Sequence, residues 1–203
     1  MTAPALAFPL KATFRILTLS PEVRVENARG ELLLQVKQKL LTLREATTVF
    51  ADEAKTVPVY KMLADRVIGF RAVHRITRAS DGAPIGAVKA GGLRTIWQAR
   101  YEVTDAKDRL VFKIREENPW IKVIDAIVDE IPLVGPIIAM FINPRYLVED
   151  EGGVLRYRIT KKRSFVARNF VLEEISADQH ADIDQRLIAL ALIQAMMLER
   201  SRD

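Results

Sequence analysis

The densest run of side chains able to do chemistry is basic: Lys161, Lys162 and Arg163, with Arg156 and Arg158 just before them and Arg168 just after. On an extended strand side chains alternate between faces, so Arg156, Arg158 and Lys162 fall on one side and can converge on a phosphate through charge-assisted hydrogen bonds. Lys161 and Arg163 flank that set, and Lys37 and Lys39 repeat the two-residue spacing earlier in the chain. The chemistry on offer is capture of an anion such as a phosphate. A solvated outer wall would look the same, because outward strand positions are commonly Lys, Arg and Thr. No aromatic residues interleave with the cluster densely enough to stack bases, so nucleic acid is not the expected partner.

Catalytic constellations are missing from the sequence. With no cysteine, a disulfide, a thiolate metal site and a catalytic thiol are all excluded, and a cytosolic-type compartment is compatible. His74 and His180 stand in no metal-ligand spacing, and no serine sits in a G-x-S-x-G elbow. Gly82, Gly86, Gly91 and Gly92 fit turns better than a phosphate loop. Asp125 and Asp129 are one helical turn apart and could in principle form an acid pair, but a solvated helix face is the better account of them. No enzyme activity, metal or cofactor is expected. The 31 Lys and Arg against 26 Asp and Glu give a net charge of +5, which suits a basic patch better than a dedicated polyanion binder.

These residues need a scaffold, and 203 residues at 49% hydrophobic content suffice for one domain with a sizeable core. The chain repeats one unit, a β-rich run, an Asp- or Gly-bearing turn and a returning β-rich run. Tyr101 to Asp105 with Leu110 to Ile114 is the clearest copy, and Tyr146 to Asp150 with Val154 to Ile159 repeats it around Gly152 and Gly153. Looser copies run from Val23 to Lys37, from Thr48 to Met62 and from His74 to Lys89, while Asn169 to Ile175 is a last strand without a partner of its own. Leu155, Tyr157 and Ile159 alternate with Arg156, Arg158 and Thr160, so one face is dry and the other wet. Strands of this kind must stack as two sheets or close on themselves to hide their edges.

The C-terminal stretch chooses between those solutions. Ser176 and Gln179 fit a capping box, Asp178, Asp182 and Asp184 suit the positive end of a helix, and Arg200 and Arg202 suit the other end. Between them Leu187 to Leu198 is apolar on every side, whereas a helix lying on an open sheet would keep a polar stripe. Its length of roughly 18 Å falls short of a hydrocarbon core of about 30 Å, so no transmembrane span is expected. A helix at 177–200 without a wet face is best placed inside a ring of strands, although a partner subunit could also bury it.

Residues 1–20 lack a basic n-region and a long apolar run, and are expected to form an N-terminal tail ahead of a barrel domain at 21–203. Within that domain 119–144 has the pattern of a helical insertion between strands. Trp120, Val123, Ile124, Ile127, Val128 and Ile131 recur at helical spacing before Pro132 to Pro136 interrupts them. Trp120, Ile124 and Ile127 are therefore candidates for contact with a membrane or a protein partner. A helical hairpin capping the barrel is the favoured reading, since the polar face carries Asp125, Asp129 and Glu130 where anionic lipid would want cations, and a dimer contact is a third.

Val36-Lys-Gln-Lys-Leu-Leu41, the repeated strand-Asp-turn-strand units, and the apolar final helix after Phe170-Val-Leu-Glu-Glu-Ile175 occur in an order that resembles the tubby-like C-terminal superfamily, in its LURP-one-related and phospholipid-scramblase-like branch. The resemblance covers roughly Val23 to the C-terminus. It implies a mainly β fold with α, a closed antiparallel β-barrel of about twelve strands around a buried hydrophobic C-terminal helix. It also implies head-group binding through surface Lys and Arg, with no catalytic residues established across the family. The chain departs from the scramblases in lacking their cysteine cluster, their long Pro-rich N-terminal region and an acidic calcium loop.

The expected function is a non-enzymatic binding module at the cytoplasmic membrane surface that recognises anionic phospholipid. The alternative is a soluble structural or regulatory protein that engages a protein partner through the insertion.

Overall fold

The computed structural model describes residues 6–15, 22–39, 46–65, 73–91, 100–118, 145–163, 167–176 and 186–200. They form twelve strands: β1 (Leu10–Arg15), β2 (Glu22–Glu26), β3 (Leu32–Lys39), β4 (Ala46–Phe50), β5 (Pro58–Ala64), β6 (Val73–Arg78), β7 (Pro84–Ala90), β8 (Arg100–Asp105), β9 (Leu110–Glu116), β10 (Arg145–Asp150), β11 (Leu155–Arg163) and β12 (Ala167–Glu174). One helix, α1 (Leu187–Arg200), follows them. Each strand pairs antiparallel with its neighbours in the chain, and β12 pairs with β1, so the sheet is a closed barrel without edges.

Alternation creates the interior. Val23 and Val25 on β2, Tyr60 and Met62 on β5, and Tyr146 and Val148 on β10 are buried, while the residues between them face outward. Twelve strands spaced about 4.8 Å apart enclose a ring roughly 18 Å across before tilt widens it, and a helix with its side chains is about 10–12 Å wide. The helix occupies that space: every residue from Leu187 to Met197 is buried, and all but Gln194 join the inward strand residues in one hydrophobic cluster. The expected mainly β barrel around a C-terminal hydrophobic helix is the fold observed.

The two ends of the barrel are built differently. At one end, the turn end, five hairpins close through short turns headed by Asn27, Asp52, Asp81, Asp105 and Asp150. Each of these side chains accepts backbone N–H groups two to five residues ahead, replacing the ladder partners that the reversing chain loses. The other end, the loop end, is where Arg15 and Glu22, Glu116 and Arg145, and Arg163 and Ala167 terminate neighbouring strands.

Three expectations change. Residues 10–15 are not part of an N-terminal tail but form β1, which supplies the partner that the last strand was expected to lack. Leu10, Ala12 and Phe14 point inward on it, and without it β12 would leave a row of unpaired backbone groups. Ser176 belongs to the end of the sheet, where its hydroxyl donates to the Leu155 carbonyl at 2.7 Å rather than capping a helix. The helix is described from Leu187, and 177–185 lie outside the described residues, as do 119–144 with Trp120, Ile124 and Ile127. The strands bracketing 119–144 are adjacent, with Glu116 opposite Tyr146.

Candidate anion-binding surface

Charge is distributed unevenly between the two sets of strand ends. In the three strand residues nearest the loop end, Lys and Arg recur around the ring, and the acidic residues among them are Glu22, Glu102 and Glu116. Glu22 is already paired with Lys55. At the turn end the balance reverses, with Glu26, Asp81, Asp108, Glu151, Glu173 and Glu174 on the strand ends and turns. The two sets of strand ends also meet across the wall, where Glu22 pairs with Lys55 of the β4–β5 turn and Arg75 approaches Asp108 of the β8–β9 turn.

The basic run of β11 spans much of the barrel axis. Arg156, near the turn end, is drawn into the β10–β11 turn, where its Nε donates to Asp150 Oδ2 at 2.8 Å. Burial pushes the Asp150 carboxyl up, but hydrogen bonds from the Val154 N–H and from Arg156 outweigh it and hold the group below its ordinary value. Arg158 is half-buried, and its Nε has no hydrogen-bond partner among the described residues. Lys162 is exposed. Alternation thus places all three on the outer side of β11, with Arg156 committed to its turn, Arg158 half-buried opposite Glu173 with its Nε enclosed, and Lys162 exposed.

Lys161 is a correction. It follows Tyr157 and Ile159 on the inward face, is buried, and stands opposite Phe170, which packs edge-on against Phe14 at 5.2 Å. A side chain enclosed there cannot serve an outer site. It shares the interior with Glu116, also buried, on a strand two positions away, where Tyr146 lies in register between Glu116 and Ile159. Arg163 ends β11 opposite Arg168, and its side chain lies outside the described residues, as does that of Lys39. Lys37 is exposed on β3, four strand positions from β11, or about 19 Å along the wall, so it belongs to a different part of the rim.

The structure adds Arg145. Its register partner is Thr160, which lies between Arg158 and Lys162 on the same outer face, so three cations surround one hydroxyl. Diagonal neighbours of this kind are about 7–8 Å apart, within reach of long side chains closing on one phosphate. Arg145 is exposed and approaches Glu117 at 4.0 Å, a contact that water screens. Only strand register brings Arg145 to Thr160, which is why reading along the sequence passes over it. Among the described residues no cluster of His, Asp and Glu could hold a metal ion, and no helix is long and apolar enough to cross a membrane. His74 is buried in the barrel interior.

No protein-family profile matches the chain, and no curated protein matches it in sequence. Among solved structures it resembles the X-ray structure of the protein AT5G01750 from Arabidopsis thaliana, at a TM-score of 0.51 and 14% identity. The match covers 96% of this chain and 94% of that one. The two proteins share the barrel from end to end, and at this identity the likeness is one of fold.

Proposed function

We propose that the protein is a non-enzymatic binding module of the LURP-one and scramblase-like type, which recognises anionic phospholipid head groups at the cytoplasmic surface of a membrane. The supporting observation is the cluster of Arg145, Arg158 and Lys162 around Thr160 on the outer wall. A head-group phosphate seated there would receive charge-assisted hydrogen bonds from Lys and Arg, each worth more than a neutral one. The closed fold fits a binding role, because a core filled by its own helix leaves the outer wall and the two ends to meet a ligand.

The test is co-sedimentation of the full chain with phosphatidylcholine vesicles, with and without phosphoinositide. Binding should require the anionic lipid, and Arg145→Glu with Lys162→Glu should weaken it by roughly tenfold or more, at about 1 kcal/mol for each cation near the surface. Equal sedimentation with neutral and anionic vesicles would refute this function.

A further inference from the structure

We infer that the β4–β5 turn is a strap with two states, latched by ion pairs across the outer wall of β2, β3 and β4 and able to lift from it while the barrel stays closed. The inference is independent of the lipid-binding function proposed above. Seven residues, 51–57, link Phe50 to Pro58, and they are tied to one another. Asp52 accepts from the Thr56 and Val57 N–H groups at 3.0 and 2.8 Å and from the Thr56 hydroxyl at 2.8 Å, while the Ala51 N–H donates to the Val57 carbonyl. Two side-chain bridges carry the turn beyond its own hairpin. Lys55 pairs with Glu22, and Glu53 meets Arg24 Nη1 at 2.9 Å. Glu22 and Arg24 lie on β2, so both bridges cross β3, where Gln35 stands in register between Arg24 and Phe50.

Gln35 records what the bridges cover. Its neighbours Leu34 and Val36 point inward, so it belongs to the outer face, yet only 6% of it is exposed, whereas Lys37 on the same face is open to solvent. Its Oε1 is enclosed without a hydrogen-bond partner among the described residues. Closing the strap strands an amide oxygen that water would satisfy once the strap lifts, and the ion pairs must offset that loss. The states are therefore close in free energy. Lys55 has a φ of 59°, the left-handed conformation that Gly30 and Gly153 supply in the β2–β3 and β10–β11 turns. A lysine is strained there, and the reach of its ammonium to Glu22 is the accompanying gain.

The β8–β9 turn offers a comparison. Asp108, also at φ 59°, approaches Arg75 of β6 at 3.6 Å, but both side chains are more than half exposed. The β7 residue opposite Arg75 is Ala87, whose side chain has no polar atom to trap. Solvent screens that contact, and it is no latch.

Because the chain has no cysteine, Gln35→Cys reports lifting of the strap through its rate of reaction with uncharged N-ethylmaleimide. Val36→Cys, facing the interior, reports opening of the barrel. In the Gln35→Cys background, Lys55→Gly with Glu53→Gln should speed labelling roughly threefold or more, through loss of two partly exposed ion pairs. Glycine suits the backbone angle of residue 55, so the turn itself is kept. Raising salt from about 0.05 to 1 M, where the screening length falls to about 3 Å, should speed labelling of Gln35→Cys alone by a similar factor and leave the latch variant nearly unchanged. The salt arm decides the matter even where the latch variant fails to fold. Val36→Cys should stay protected throughout, and Arg75→Gln should leave the rate at residue 35 unaltered. Labelling of Gln35→Cys that ignores both salt and latch, or that keeps pace with Val36→Cys, overturns the strap, since the cover then opens only with the barrel. Labelling as fast as that of an exposed thiol overturns it as well, and so does an equal acceleration by Arg75→Gln.

Discussion

Gly86 faces Leu187 where the helix begins inside the barrel, so closely that a methyl group on Gly86 would lie 2.9 Å from Leu187 Cδ1 and 2.3 Å from the Thr104 carbonyl oxygen. Glycine here permits close approach of strand and helix, since its backbone is not in a left-handed conformation. Gly86→Ala should destabilise the protein by about 1–3 kcal/mol or more, measured by guanidinium unfolding. Adding Leu187→Ala should not restore stability, because the shorter of the two contacts is to backbone. A Gly86→Ala variant as stable as the parent would show that the helix does not sit against β7 as described.

Asp150 yields a prediction about acid. Its folded pKa lies below its ordinary value, so its contribution is fully present above the unfolded carboxylate pKa of about 3.9 and is lost as pH falls through the lower folded value. Asp105, which accepts from the Lys107 and Arg109 N–H groups and from the Arg109 guanidinium, is lowered for a similar reason and adds in the same direction. Asp150→Ala should cost about 1–3 kcal/mol at neutral pH, since a turn N–H and Arg156 both lose their acceptor. Asp150→Asn should cost less, because an amide oxygen can still accept from the turn, as Asn27 does in the β2–β3 hairpin. The gap between parent and Asp150→Asn should be widest at neutral pH and close in strong acid. A constant gap across a pH series of urea unfolding curves would contradict this account.

Glu116 and Lys161 place opposite charges inside one barrel. Removing either alone leaves the other enclosed, so Glu116→Gln and Lys161→Met should each destabilise by about 3–5 kcal/mol. The double variant should cost clearly less than the sum, and a double-mutant cycle of thermal or chemical unfolding measures the difference. Additivity would mean that the two charges do not sense each other.

Much of the architecture was legible because its strongest signal needs no partner: a helix apolar on all sides from Leu187 to Met197 demands enclosure, and the hairpins upstream supply the wall. Turn-forming Asp52, Asp81, Asp105 and Asp150 were visible for a similar reason, since their hydrogen bonds reach only a few residues ahead. What sequence did not reveal depends on pairing between distant residues. Leu10, Ala12 and Phe14 alternate over too short a run to announce β1, and only the unsatisfied edge of β12 explains it. Lys161 reads as surface inside a basic run, until counting by twos from Tyr157 places it within. Arg145 acquires its place from Thr160 across the register.

The closure of β1 on β12 also bears on how the protein is made. Thr13 Oγ1 meets Asn169 Oδ1 across a sequence separation of 156 residues, so early strands emerge from the ribosome long before the chain that will cover them. The nascent barrel must wait as an open, curling sheet with an exposed greasy lining until the helix arrives to be wrapped. The other pairings join consecutive strands, so the closure of β1 on β12 is the slow, non-local step, and the open sheet that precedes it is the species most exposed to aggregation.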